Sequence, residues 1–360
     1  MATAASKPRV EWVDIAKGIC IVLVVMMHST LGVEKAVGHP SWLNHFVEWA
    51  RPFRMPDFFM ISGLFLASRI NRPWREYLDK KVIHFAYFYV LWMTIQFLTK
   101  GYGIYQGEGA AGLVRNYALG FIDPFGTLWF IYLLAVFFVV AKATRGLPPL
   151  LIFAVGAAME AVHAHWLSTT GEATGWLLID EFMAKFVYFY VGYWLAPRIF
   201  AMAQRFNALG SLALFAGLVV WGIFEYFAVL SGHSKDPGVS LALGFIGALA
   251  VIATSVLLAR TVAASVLNDL GANSIVVYLA FFLFMASTRA VLLRLDLIPD
   301  TGTVALLVTF AGVVGPVLLH LLVKNTRLAF LFKRPQWAKL APTPGEWHSP
   351  GHDRNQPREA

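Results

Sequence analysis

The stretch Trp12-Val-Asp14-Ile-Ala-Lys17-Gly-Ile-Cys20-Ile-Val-Leu-Val-Val-Met-Met-His28-Ser-Thr30 reads as a membrane-spanning helix that carries three ionisable side chains. Ionisable groups are expensive in hydrocarbon and by default mark a functional pathway. Their spacing matters. The eleven positions from Lys17 to His28 make about three turns, so the two side chains share a face about 16 Å apart along the axis. Asp14, three residues before Lys17, joins that face. Such a stripe points into a bundle and away from lipid.

The rest of the chain agrees. Of 360 residues 58% are hydrophobic and 14% charged, with a mean hydropathy of +0.63. Soluble domains carry about 25% charged residues, so the composition is that of an all-α, polytopic membrane helix bundle. About ten spans fit, at roughly 14–34, 47–68, 82–99, 127–144, 147–165, 179–197, 209–231, 238–260, 272–292 and 302–324. The expected organisation is a short cytoplasmic segment 1–13, one transmembrane domain 14–324, and a cytoplasmic tail 325–360, disordered from about residue 333. The first span has internal charges and no small-residue cleavage site, so it reads as a retained helix and not a leader. Residues 109–121 read as a short amphipathic or re-entrant piece.

Orientation follows from basic residues in the loops. With both termini in the cytoplasm, 19 Lys and Arg residues fall inside and six outside. The net charge of +8 then reflects anchoring beside anionic lipid and implies no nucleic acid. A single cysteine, Cys20, excludes an internal disulfide and a Cys-rich metal site; no metal and no bound cofactor are expected.

This topology sets the depth of the polar groups. Arg51, Arg54 and Asp57, early in the second span, fall near the depth of His28, and Arg54 is expected to share a cavity with it. Glu160 and Lys185 also belong to the outer half. Lys17 lies in the inner half, near the basic loop of Arg69, Arg72, Arg75, Lys80 and Lys81. Ser62-Gly63 reads as a site of close helix packing.

Several of these residues form recognisable motifs. Val13-Asp14-Ile-Ala-Lys17-Gly-Ile ending in His28-Ser29, then Arg51-x-x-Arg54-Met-Pro56-x-Phe58-Phe59-x-x-Ser62-Gly63, resembles acyltransferase family 3, the integral membrane O-acyltransferases, and their fucose O-acetylase-like branch. Leu128-Trp129-Phe130 and Gly271-x-Asn273-Ser274-x-x-x-Tyr278-Leu279 agree, and the resemblance spans about residues 10–325. It implies a ten-helix core in the bacterial inner membrane. It also implies transfer of an acyl group, most often acetyl, from cytoplasmic acyl-CoA to a hydroxyl of an envelope glycan, glycolipid or other extracytoplasmic acceptor. By position, His28 matches the essential histidine and Lys17 a basic residue that is often Arg in relatives. The five basic loop residues match a patch that binds CoA. Where relatives often carry a further histidine after Tyr-Leu, this chain has Ala280-Phe281, and no hydrolase-type domain is expected beside the membrane domain.

The residue chemistry supports transfer independently. An imidazole near neutral pH acts as a base toward a hydroxyl or as a transient acyl carrier. Arg51 or Arg54 supplies positive charge to a developing oxyanion. Guanidinium groups suit the phosphates of a CoA donor. The expected catalytic residues are therefore His28, Arg54 and Arg51. Asp14, Lys17, Asp57, Trp129, Glu160 and Lys185 are the expected substrate-binding residues, with the five basic loop residues for the donor. The competing function is a small-molecule transporter or exporter that uses the Asp14–Lys17–His28 stripe as a relay. The absence of an inverted repeat and of paired broken helices weighs against it.

Overall fold

The computed structural model describes residues 10–340. Among them every regular element is helical. Fourteen α-helices follow one another: α1 (Glu11–Val37), α2 (Trp42–Trp49), α3 (Arg51–Gly63), α4 (Trp74–Leu78), α5 (His84–Leu119), α6 (Trp129–Ala143), α7 (Pro149–Thr170), α8 (Leu177–Trp194), α9 (Ala196–Ala208), α10 (Ser211–Leu230), α11 (Val239–Leu258), α12 (Ala264–Ala272), α13 (Ser274–Leu295) and α14 (Thr301–Val323). The chain is a multi-pass membrane protein. Seven of its helical runs are long and apolar enough to cross a bilayer: α1, the run from α4 through α5, α7, α10, α11, α13 and α14. The other three expected spans coincide with shorter or more polar helices. α3 has 13 residues with Pro56 inside, α6 has 15, and α8 has 18 that include Asp180, Glu181 and Lys185.

Local chemistry sets the ends. α1 stops at Gly38, whose left-handed backbone (φ 85°) returns its N–H to the Glu34 carbonyl at 2.7 Å. α14 starts at Asp300, whose carboxylate accepts from the Thr303 N–H at 2.7 Å. α5 breaks at Gly109 (φ 65°, ψ −169°), a conformation open only to glycine. Residues 110–119 then return alongside its first part: Tyr117 lies 5.1 Å from Phe97, and its hydroxyl is 2.9 Å from that of Thr94. This returning arm covers the residues read as a short amphipathic or re-entrant piece at 109–121.

Burial of apolar surface does not drive helices together in lipid; van der Waals fit does. The core concentrates on α1, α3, α8, α11, α13 and α14, while α10 exposes most of its side chains. Gly63 of α3 faces the Phe189 carbonyl and Tyr193 N–H of α8, and Gly192 of α8 faces the Met60 backbone of α3. α1 and α12 touch in the same way, at Gly18 against Leu267 and at Gly271 against Asp14. At Gly192 an added Cβ would meet backbone carbon of Met60 at 2.8 Å, which no rotamer change relieves. Gly192→Ala is expected to cost about 1–3 kcal/mol and Gly192→Leu to prevent accumulation of folded protein. Size-exclusion profiles of fluorescent fusions test this; a sharp, full-height Gly192→Leu peak would contradict the packing.

The tail expected to be disordered from about residue 333 is packed as far as Leu340. Trp92 and Tyr87 of α5 donate to the Leu331 and Phe330 carbonyls at 2.9 and 3.1 Å. Arg334 pairs with Asp79 at 2.7 Å, and the Leu340 N–H donates to the same carboxylate at 2.9 Å. These partners come from other helices, so composition alone does not reveal them. Residues 341–360, the remainder of that tail, and 1–9 lie outside the described residues.

Candidate active site

Two ends of the bundle are distinguished below: the near end, where α1 starts, and the far end, where it stops. At the near end a cavity of about 390 Å³ is lined by Phe65, Ser68, Arg69, Arg72, Glu76, Tyr77, Lys80 and Lys81. Its cations come from the α3–α4 connector and from a π-helical turn, Asp79–Ile83. Such a turn is rare and is frequently found at functional sites. Four cations face one carboxylate. Arg72 and Lys80 both pair with Glu76, the latter at 3.0 Å, and Lys81 lies 4.3 Å over the Phe138 ring. Arg75, expected among them, is exposed and does not line the cavity, because its position on α4 points it the other way.

Beneath this cavity lies Lys142, which sequence reasoning treated only as a basic anchor at the end of a span. It is 1% exposed. Its ammonium donates to the Ile70 and Arg72 carbonyls, both at 2.7 Å, and sits 4.5 Å over the Tyr77 ring and 4.9 Å over that of Trp74. No carboxylate pairs with it among the described residues. Lys142 thus ties down the connector that carries Arg69 and Arg72.

Lys17 leads inward from the cavity. Its ammonium pairs with Asp14 at 3.1 Å and stands 5.9 Å from the ring of Phe65, a cavity wall. It also lines a narrow slot of about 110 Å³ with Phe58, Ser62, Phe85, Phe130, Ile131, Leu134, Ser274, Ile275 and Tyr278. The Tyr278 hydroxyl donates to the Thr127 carbonyl at 2.5 Å and fixes the start of α6 against α13. The adjacent Phe130, not the expected Trp129, faces the slot; Trp129 instead packs 6.1 Å from Phe59.

One turn beyond Tyr278, Phe281 lies 5.4 Å from the His28 ring. His28 is half-buried and hydrogen-bonds to no protein group among the described residues. The charged groups whose fields reach it are Arg54 and Lys100, both cations. Arg54 is 7% exposed and has no carboxylate partner. Its Nη1 donates to the Val47 carbonyl at 3.2 Å and its Nε has no partner. Lys100 stands 4.4 Å over Phe282 and 5.0 Å over Phe125. By hydropathy alone it falls just past the end of the 82–99 span, because the helix continues to Gly109 through residues too polar for an apolar window. Neither His28 nor Arg54 lines the near cavity, the slot or the cavity at the far end, so the cavity they were expected to share is not among these three.

α3 divides the remaining expected residues. Arg54, Asp57 and Phe58 face α1, where Asp57 accepts from the Cys20 thiol at 2.7 Å and its second oxygen is unpartnered. The opposite face of α3, Arg51, Pro52 and Pro56, lines a far-end cavity of about 330 Å³ with Glu160, His163, Lys185 and Tyr188. Arg51 pairs with Glu48 at 3.2 Å. It is therefore brought together with Glu160 and Lys185 and not with His28. Glu160 is 5% exposed, accepts from the Ser240 hydroxyl at 2.6 Å, and keeps its other oxygen free. The three steps from Arg51 to Arg54 turn the helix by about 300°, and Arg51 lies on the side of Pro52 and Pro56, which meets the cavity.

Residues 10–321 match the acyltransferase domain family, so the chain belongs to that family and is an acyltransferase. Of the two functions weighed above, the relay of a transporter is thereby set aside. The chain is similar to inner membrane protein YcfT of Escherichia coli strain K12, with 24% identity over 249 residues, covering 62% of this chain and 67% of that protein. It is also similar to nodulation protein NolL of Mesorhizobium japonicum, with 22% identity over 316 residues, covering 84% of this chain and 82% of the relative. No solved structure matches it.

Proposed function

We propose that this acyltransferase spans the bacterial inner membrane ten times with both termini in the cytoplasm. In this reading it moves an acyl group, most simply acetyl, from cytoplasmic acyl-CoA to a hydroxyl of an envelope glycan or glycolipid, as in the O-acetylating branch of its family. The observation that carries the reading is the basic near-end cavity continued by a slot toward His28. The relative named as an inner membrane protein supports the location.

The near end is the cytoplasmic one in this proposal. Arg69, Arg72, Lys80 and Lys81 hold the CoA phosphates. The pantetheine arm passes Lys17, paired with Asp14, and fills the slot between Phe58, Phe130 and Tyr278. The thioester carbonyl then arrives beside His28. The acceptor hydroxyl gives its proton to the imidazole as its oxygen attacks the carbonyl. Arg54 stabilises the oxyanion. The C–S bond breaks, and the departing sulfur takes the proton back from the imidazolium. Glu160, Lys185 and Arg51 hold a more distant unit of the acceptor in the far cavity, at the end of the bundle where α1 stops. Asp57 and Trp129 support the walls.

The deciding experiment is mass spectrometry of envelope glycans and lipids from cells with and without this gene. An ester present only with the gene is expected; identical profiles, together with no acyl-CoA turnover by purified protein, would sink the proposal. The donor site has its own test. A hydrogen bond to a charged group is worth about 1.5–3 kcal/mol, so Arg69→Gln and Lys81→Gln are expected to raise KM for acetyl-CoA about 10-fold with kcat little changed. Lys142→Met is expected to do the same by releasing the connector, although it touches no donor atom. Arg75→Gln, off the cavity, is expected to stay within about twofold of wild type. Equal KM values for Arg69→Gln and Arg75→Gln would show that the donor binds elsewhere.

A further inference from the structure

The surroundings of His28 are cationic beyond what oxyanion stabilisation requires. Arg54 and Lys100 are the charged groups whose fields reach it, and Lys100 stands 4.4 Å over Phe282, next to the Phe281 ring that lies 5.4 Å from His28. A third cation stands further out. Gly32 lies one turn beyond His28 on the same face of α1. The Arg289 guanidinium of α13 packs directly against it, in the space a Cβ would need. Arg54, Lys100 and Arg289 make no salt bridge among the described residues; Glu48, the one acid whose field reaches Arg54, pairs with Arg51 at 3.2 Å, and the other nearby acids are engaged elsewhere. Glu34 accepts from the Ser41 N–H and hydroxyl at 2.7 and 2.8 Å. Asp300 accepts from Trp42 and Thr303, and Asp123 from the Leu178 N–H at 2.8 Å.

Three cations without a salt-bridge partner in the outer half of a membrane bundle are costly, and the cost is offset when an anion binds among them. The position of Arg289 decides which anion. The donor arrives from the near end, and its phosphates stay in the near-end cavity, on the other side of Lys17. A group one turn beyond His28 is reached only by the acceptor.

We propose that the acceptor is anionic: a sugar bearing a carboxylate or a phosphate, held by Arg289 and Lys100 so that a neighbouring hydroxyl meets His28. The negative group lies about one helical turn, or about 6 Å, outward from the oxygen that is acylated. The inference rests on the transfer reading above and adds the class of acceptor. It also gives Arg289 a task in acceptor specificity that is separate from the chemical step.

The ester found only in cells carrying the gene is the test object. Fragmentation of the modified glycan or glycolipid is expected to locate it on a uronic acid, or on a sugar joined directly to phosphate. The two arms separate a carboxylate-bearing polymer from a phosphate-linked one. An ester on a neutral sugar with no acidic substituent overturns the proposal while leaving the transferase reading intact; absence of any ester removes the transferase reading itself. Arg289→Gln is expected to lower esterification at least about 10-fold with an unchanged KM for acetyl-CoA, and Arg289→Lys to restore most of it. Location of the ester in wild-type cells decides the matter even where Arg289→Gln accumulates poorly. Wild-type esterification by well-expressed Arg289→Gln would overturn the role of that residue.

Discussion

His28→Ala is expected to insert, accumulate and purify like the wild type and to lose acyl transfer by at least about 100-fold, the effect typical of removing a positioned acid–base group. Normal folding follows from the environment of the ring. His28 is half-buried, hydrogen-bonds to no protein group, and contacts its neighbours mainly through the Phe281 ring at 5.4 Å. A buried structural histidine would be tied by both nitrogens; this one leaves them free for a reactant. The measurement is incorporation of labelled acetyl from acetyl-CoA by protein in nanodiscs, with KM for acetyl-CoA recorded alongside. That KM is expected to hold, since the phosphates bind at Arg69, Arg72, Lys80 and Lys81. Wild-type incorporation by the variant would end the catalytic assignment of His28.

Much of this organisation is legible in the sequence, for physical reasons that can be named. Hydropathy reports long apolar helices, buried or not, so α1, α7, α10, α11, α13 and α14 are read directly. Charge in an apolar run is expensive, so Asp14, Lys17, His28 and Arg54 stand out. What escapes is whatever depends on the relative placement of helices. Lys100 reads as a loop residue because the helix continues to Gly109 through residues too polar for an apolar window. Lys142 reads as one more basic anchor, although it is fully buried and holds two carbonyls. Arg51 and Arg54 look equivalent until α3 is placed between α1 and α8; one then opens to the far cavity and the other faces His28. Arg75 looks equivalent to Arg72 until α4 turns it outward. In each case the residue type is visible and the direction of the side chain is not.

The near and far halves of the site also differ in how their charges are satisfied, and this separates binding from chemistry. In the near cavity Arg72 and Lys80 share Glu76, so the empty site has part of its charge compensated and the cations are held ready. Lys17 likewise has Asp14. Around His28 no such compensation is present. Preorganised, unpaired charge is effective at stabilising a developing anion because no partner has to be displaced during the reaction. The folded state bears its cost throughout.

That cost yields the second large effect. Arg54→Gln is expected to lower kcat for acyl transfer by about 100- to 1000-fold, the range for removal of a group that meets the oxyanion. It is also expected to leave the thermal stability of the purified protein equal to or above wild type. Arg54 is 7% exposed, its Nε is unpartnered, and its one hydrogen bond among the described residues goes to the Val47 carbonyl at 3.2 Å. A glutamine amide reaches less far but removes a charge without a salt-bridge partner from the bundle interior, where replacing ions by neutral groups is often stabilising. A structural arginine gives the opposite pattern: stability falls and activity follows in proportion to folded protein. Arg54→Lys tests the requirement for charge. It is expected to keep more activity than Arg54→Gln and to show none of the gain in stability. Thermal denaturation and transfer kinetics on the same preparations distinguish the cases. Loss of stability in Arg54→Gln with kcat per folded molecule unchanged would assign Arg54 to architecture and leave the oxyanion to Lys100.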